Sequence, residues 1–346
     1  MKILILSHAF APNLGGIETV TELLASEFSR RGHEVRVVTR TESPEPDRYP
    51  FTVIRRPSPL QLLKSAFWCD VFFQNGISLR TAWALLLVRR PWVTTHQTWI
   101  SRADRRISWR DRLKRSLLRL ATNVSISREV AKDIGVSSTI IPNPYRDQFF
   151  REIPGFGRDR DLVFVGRLVS DKGVDLLIRA LAILKSRNAT PNLTVVGSGP
   201  ELRALTLLTE ELGLAGRVEF AGPRSGQSLV ETLNRHRILV VPSRWFEPFG
   251  IVALEGAACG CVVIGSSQGG LSDAIGPCGL TFPNGDVEAL SRAIGQALTD
   301  SDATAKLRAE APAHLRRHSV AAITDAYLQL FDQILQKRGL NSVLGK

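Results

Sequence analysis

Residues 243–266 read SRWFEPFGIVALEGAACGCVVIGS. A polar, aromatic opening turns into an apolar helical stretch, and a run of small and β-branched residues follows. The pattern is loop, helix, then buried strand. Glu247 and Glu255 stand eight positions apart in it, separated by Pro248-Phe249-Gly250-Ile251-Val252-Ala253-Leu254. The first backbone N–H groups of a helix lack intrahelical partners, and the macrodipole adds partial positive charge there. One carboxylate before that terminus and one two turns into the helix can flank a ligand that carries both phosphate and hydroxyls. A nucleotide-sugar has that make-up.

The same alternation extends in both directions. Strand-like runs occur at 2–7, 34–39, 71–74, 92–95, 123–126 and 139–141, with a helical face at 17–31 carried by Val20, Leu23, Leu24 and Phe28. A second series opens at 162–165, continues through a helix at 174–185, and adds strands at 193–196, 218–220, 238–241 and 261–265. Strand–helix–strand alternation predicts parallel sheets covered on both faces. The fold class is therefore α/β, with two Rossmann-like parallel-sheet domains facing across a cleft. The boundary is expected near 151–161, where REIPGFGRDRD is polar and rich in Gly and Pro. That gives a first domain at 1–155, a second at 156–320, and a final helical segment at 321–346 that can pack back on the first domain. Ligands of open parallel sheets bind beyond the C-terminal strand ends, which places the expected site in the cleft.

Bulk properties narrow the class. The 346 residues are comfortable for two domains, and 44% hydrophobic content gives each a core. There is no apolar run of 18 residues to span a membrane. MKILILSHAF reads as a buried first strand rather than a signal peptide. Cys69, Cys259, Cys261 and Cys278 follow no disulfide or zinc spacing, and the cytoplasm is the expected compartment. The net charge of +12 is uneven: residues 1–150 carry 23 Lys and Arg against 13 Asp and Glu. Such a surplus suits an acidic substrate or an anionic membrane surface at its inner face. No nucleic-acid motif accompanies it.

Several residues could carry chemistry. Gly15-Gly16 lies between the first strand and first helix, where glycines let backbone N–H groups approach a phosphate; it also serves as a simple turn. It does not form GxGxxG. Arg167 and Lys172 follow the strand LVFVG, and two cations at a strand's C-terminal end can grip a diphosphate or simply be solvated. Gly197-Ser198-Gly199 follows LTVV and lines a nucleotide or makes a tight turn. His96 sits just past a strand end, within reach of a sugar or in a structural role. Asp159-Arg160-Asp161 formally matches an Asp-x-Asp metal pattern, but it precedes a strand and reads as solvated charge. No metal cluster is expected. From Arg102 to Leu120, RADRRISWRDRLKRSLLRL holds eight Lys and Arg against two Asp. Trp109, Leu113, Leu117 and Leu120 recur at helical spacing in it. This basic amphipathic helix can lie on anionic lipid or turn its stripe to its own core.

Taken in order, these pieces resemble the retaining glycosyltransferases of family 4, which have the GT-B fold. PNLGGIETV…LLASEFSRRGHEVRVVT is similar to the family's opening. GRLVSDKGVDLLIRAL, LTVVGSGPE, VEFAG and PSRWFEPFGIVALEGAACGCVVIGSSQGG resemble its second domain. The resemblance covers nearly the whole chain, and Glu-x7-Glu is its most specific part. It implies that Glu255 hydrogen-bonds the ribose of the donor nucleotide and Glu247 holds sugar hydroxyls. Backbone N–H groups around Phe249, Gly250 and Ile251 would face the sugar and diphosphate. Arg167 and Lys172 would bind the diphosphate, with Gly16 approaching from the first domain and Gly197 lining the donor. His96 would sit beside the anomeric region and the 6-hydroxyl. No metal or other cofactor is implied beyond the nucleotide-sugar co-substrate. Gln97, Pro144 and Asp273 depart from the usual Asp, Gly and Glu of the pattern.

The implied reaction moves a sugar from a nucleoside diphosphate to the hydroxyl of a glycan or lipid-linked acceptor, in cell-surface glycan or glycolipid synthesis. Retention without a dedicated nucleophile suggests front-face attack, with the leaving phosphate taking the acceptor's proton. A sugar phosphorylase, a nucleotide-sugar epimerase and a non-catalytic carbohydrate- or lipid-binding protein are the competing readings. The donor nucleotide and the acceptor stay open at this level.

Overall fold

The computed structural model describes residues 1–13, 15–100 and 109–344. The chain divides into two compact units, one of Met1–Pro144 with Ser319–Lys346 and one of Tyr145–His318.

The first unit is built on seven parallel strands: β1 Lys2–Ser7, β2 Glu34–Thr39, β3 Thr52–Arg55, β4 Val71–Asn75, β5 Trp92–His96, β6 Thr122–Ser125 and β7 Thr139–Ile140. Their spatial order is β3-β2-β1-β4-β5-β6-β7. The order reverses between β1 and β4, the topological switch point of this sheet. Central strands are apolar along their length because helices cover both faces: Ile3, Leu4, Ile5, Val71, Phe72 and Val93 are fully buried. The last helix, Val320–Leu344, belongs to this unit. Phe331 packs on Phe28 and Phe73 with ring centroids 5.8 and 5.6 Å apart, and the Tyr327 hydroxyl lies 2.9 Å from Thr95 Oγ1. Asp325 pairs with Arg31.

The second unit has six parallel strands: β8 Arg160–Val165, β9 Leu193–Val196, β10 Val218–Gly222, β11 His236–Val241, β12 Val262–Ser266 and β13 Gly279–Phe282. Their order is β10-β9-β8-β11-β12-β13, which puts the switch point between β8 and β11. The helix Val174–Ser186 buries Val174, Leu177, Ile178, Leu181 and Leu184, the spacing of one helical face. Gly173 caps it at φ +66°, and a Cβ there would lie 2.1 Å from the Pro242 carbonyl oxygen. Only glycine fits, and the β8 and β11 loops touch through it.

The division falls earlier than the linker composition suggests. Residues 145–158, which overlap the polar 151–161 stretch, are tied into the second unit. Ile153 N donates to Asn234 Oδ1 at 2.8 Å, and Asn234 Nδ2 donates to the Arg151 carbonyl at 3.0 Å. Arg158 donates to the His236 and Cys259 carbonyls at 2.8 and 2.7 Å. Asp161 is likewise not a solvated charge. Its Oδ2 accepts from Asn192 N and Nδ2 at 3.0 and 2.9 Å, joining the starts of β8 and β9.

Of the basic segment from Arg102, residues 102–108 lie outside the described residues, and the helix runs over Trp109–Leu118. Leu118 is fully buried and Leu117 packs against the first unit's core, whereas Leu113 and Leu120 are 43% and 74% exposed. Half of the named stripe therefore faces away from the core. Among the described residues no helix is long and apolar enough to cross a membrane.

Candidate functional site

In the second unit, the loops after β8, β9, β11, β12 and β13 all leave the same edge, because the strands are parallel. Those after β8 and β11 flank the switch point, where open sheets hold their ligands. Lys172 ends a short 3-10 turn, Ser170–Lys172, in the first of these, and Glu247 lies in the second. Lys172 Nζ sits 2.5 Å from Glu247 Oε1, and Ser243 Oγ donates to the same oxygen at 2.7 Å.

This geometry is held by the backbone. Arg244 N and Trp245 N donate to the Asp171 carbonyl at 2.9 and 3.2 Å. The Arg244 guanidinium forks onto the Asp175 carboxylate at the start of the next helix, with Nη2 2.6 Å from Oδ2. Burial alone would raise the Asp175 carboxyl, but the hydrogen bond and charge of Arg244 outweigh it and hold the group below its ordinary value. The Glu247 carbonyl accepts from Gly270 N at 2.6 Å, and a parallel bridge joins Glu247 to Gly269. A Cβ on Gly269, at φ +88°, would lie 2.6 Å from that carbonyl oxygen. Asn284, after β13, donates from Nδ2 to the Ser243 carbonyl at 3.1 Å and accepts from Gln268 N at 2.9 Å. Loops from four strands thus fix one carboxylate.

Arg167, in the β8 loop, is exposed, and its guanidinium makes no hydrogen bond or ion pair among the described residues. It is a cation available to an incoming anion, unlike Lys172. Gly197 has a packing reason that stands without a ligand: at φ +144°, its Cβ would lie 1.8 Å from the Gly166 carbonyl oxygen. A Cβ on Gly199 would lie 2.2 Å from the Leu168 carbonyl oxygen, and Leu168 N donates to the Ser198 carbonyl at 2.9 Å. The β8 and β9 loops are zipped together, and glycine permits it.

Gly250, at φ +107°, precedes the helix Ile251–Ala258. The Phe249 side chain is buried and packs on the His318 ring, centroids 5.9 Å apart, so only its backbone can meet a ligand. Glu255 is the fifth residue of the helix, nearer its N-terminus than the two turns read from sequence. Part of its own surface is open, but the surrounding protein is dense. Burial pushes its carboxyl up to about 7, against an opposing pull from Arg146. Among the described residues its carboxylate makes no ion pair, and burial outweighs that pull.

The first unit holds the remaining residues. Gly16 begins the helix Gly16–Arg30, which follows β1 at that sheet's switch point. Glu18 folds back over this terminus: a Cβ on Gly15 would lie 2.5 Å from its Oε2. His96 ends β5 at 2% exposure, with Nε2 3.1 Å from Asn123 Oδ1. Burial lowers its affinity for a proton, so the imidazole is neutral at pH 7. Beside it, Gln97 Oε1 accepts from Asn143 Nδ2 at 2.9 Å, while Gln97 Nε2 is buried without a partner among the described residues.

Comparison with known proteins adds to this geometry. Residues 146–314 match the family model described as Glycosyl transferases group 1, and residues 14–148 match the one described as Glycosyltransferase Family 4. The chain belongs to the family 4, group 1 glycosyltransferases. Among curated relatives, a D-inositol 3-phosphate glycosyltransferase of Corynebacterium jeikeium is 36% identical over 186 residues, 51% of this chain and 44% of that protein. A GDP-mannose-dependent alpha-(1-6)-phosphatidylinositol monomannoside mannosyltransferase of Mycolicibacterium smegmatis is 34% identical over 167 residues, 46% of this chain and 44% of that one. The chain spans less than half the length of these relatives. Among solved structures, HepE of Anabaena in complex with UDP gives a TM-score of 0.82 at 22% identity, covering 96% of this chain and all of that one. The fold is thus that of the GT-B glycosyltransferases.

Ser243, Asn284 and the Arg244–Asp175 clamp were not singled out by sequence. Ser243 lies inside the quoted stretch, but a serine in a loop carries no signal of its own. The aligned strand ends supply its meaning.

Proposed function

We propose that this family 4 chain is a retaining glycosyltransferase that moves a sugar from a nucleoside-diphosphate sugar to an acceptor hydroxyl. The observation that carries the reading is the set at the β8/β11 switch point: a free Arg167, and a Lys172–Glu247–Ser243 cluster beside the Ile251–Ala258 terminus. In the reaction the bond from the anomeric carbon to the diphosphate oxygen breaks, and the acceptor oxygen bonds to that carbon on the same face. The acceptor's proton passes to the departing phosphate. Arg167 and Lys172 neutralise the charge that grows there, the kind of stabilisation worth most in a transition state. These protein cations take that load, and the reading needs no metal. Glu247 receives sugar hydroxyls and Glu255 the ribose. The backbone of Phe249, Gly250 and Ile251 completes the donor contacts within this unit, with Gly197 shaping the β9 loop. The relatives act on inositol phosphate and phosphatidylinositol mannoside by name, which supports a polar or lipid-linked acceptor.

The same reading gives the basic helix a role on an anionic membrane surface. Arg112 and Arg119 are exposed beside Leu113 and Leu120, a cation-and-apolar mixture that such a surface attracts. Flotation with phosphatidylglycerol vesicles should exceed flotation with neutral vesicles and weaken in salt; equal flotation with both would remove this role.

Incubation with labelled UDP-glucose, GDP-mannose or ADP-glucose and a bacterial lipid and glycan extract tests the activity. Label should enter one fraction with one donor, and Arg167→Ala should reduce it. No incorporation and no nucleotide release from any donor would sink the proposal.

A further inference from the structure

We infer that Ser243 is a positioning residue that orients the Glu247 carboxylate for recognition of the donor sugar; this rests on the donor-site reading above. Ser243 is fully buried, and its hydroxyl donates to Glu247 Oε1 at 2.7 Å. Its backbone is fixed as well, through Asn284 Nδ2 at the Ser243 carbonyl, 3.1 Å away. Lys172 Nζ meets the same carboxylate oxygen at 2.5 Å. Both protein donors therefore converge on Oε1, and Oε2 has no protein hydrogen bond among the described residues. A carboxylate held by one oxygen presents the other, with two lone pairs, to the hydroxyls of a sugar.

The two donors differ in what a ligand does to them. A diphosphate carries more negative charge than a carboxylate and competes for the Lys172 ammonium, which moves on a flexible stem. The Ser243 hydroxyl is neutral, buried and anchored, and a phosphate does not draw it away. When Lys172 turns to the diphosphate, Ser243 becomes the group that keeps Glu247 aimed. Without it, the carboxylate regains rotamers and the alignment of the sugar is lost. A hydrogen bond to a charged group of this kind corresponds to roughly 10- to 100-fold in kcat/KM.

The test uses the full chain and the donor it turns over, UDP-glucose or GDP-mannose, with release of UDP or GDP as the readout. Ser243→Ala, Glu247→Gln and the double variant are compared. Ser243→Ala should lower kcat/KM by that factor while leaving the Kd for UDP or GDP alone within about twofold. The nucleoside diphosphate lacks the transferred sugar that Glu247 would hold, so its unchanged affinity also shows that the variant is folded. In the Glu247→Gln background, Ser243→Ala should add less than about twofold, because residues acting as a unit are non-additive. Additive losses, or full activity in Ser243→Ala, would overturn the role of Ser243 alone. An unaffected Glu247→Gln enzyme would overturn the donor-site reading and this role with it.

Discussion

Raising the pH from 5.5 to 8 should tighten binding of the donor nucleotide-sugar by roughly 30-fold, and Glu255→Gln should remove that dependence. Burial lifts the Glu255 carboxyl from 4.5 to about 7. Ribose hydroxyls are donors, so two of them are best received by the ionised carboxylate. Binding therefore favours deprotonation, and below pH 7 the apparent affinity should fall about tenfold per pH unit. A nucleotide-sugar is the right probe, because esterification removes the phosphate ionisation near 6 that a free diphosphate shows. Titration calorimetry in buffers of different ionisation enthalpy should record release of about three-quarters of a proton at pH 6.5. Stability of the empty protein follows the opposite sign. A carboxyl raised on folding contributes fully below pH 4.5 and loses that contribution as pH rises through about 7. The loss is about 3 kcal/mol by pH 8, so Glu255→Gln should melt higher than the parent there and similarly at pH 4.5. An affinity flat across this range, or equally pH-dependent in Glu255→Gln, would refute the ribose assignment.

Three further outcomes follow from the geometry. Arg167→Ala, which removes an exposed and unpaired guanidinium, should leave the melting temperature unchanged and lower kcat by roughly 10²–10³, read from nucleotide release. Gly197→Ala should destabilise the second unit by at least about 2 kcal/mol in urea titration, because its Cβ meets the Gly166 carbonyl at 1.8 Å with φ at +144°. Tyr327→Phe should cost roughly 1–3 kcal/mol by the same assay, since the fully buried Thr95 Oγ1 loses its 2.9 Å partner.

Much of the fold was legible in the chain because buried parallel strands announce themselves as unbroken apolar runs. LTVV, ILVV and KILILS could be read without neighbours. The edge strands β3 and β13 could not: TVIR and GLTF are four residues each and mostly half exposed, so their pairing is decided by the sheet beside them. The unit boundary was displaced because a polar, glycine-rich segment resembles a linker until Asn234 and Arg158 are seen to hold it. At the site, sequence identified the charged residues by type. It did not reveal that Lys172 and Glu247 hold each other, or that Ser243 shares the same oxygen, since these contacts join loops far apart in the chain. Gly197 was visible as a glycine next to a candidate site, but its constraint comes from the Gly166 carbonyl across the sheet.

The central claim is that the β8/β11 switch point of the second unit binds the diphosphate of a sugar nucleotide. Thermal melting of the full chain with UDP, GDP, ADP and their sugars tests it most directly. A ligand at 100 times its Kd should add about 2.7 kcal/mol of stability, a clear upward shift. The account predicts a shift with one nucleotide class, abolished in the Arg167→Ala/Lys172→Ala double variant and retained in His96→Ala. No shift with any nucleotide, or a shift untouched by loss of both cations, would contradict it.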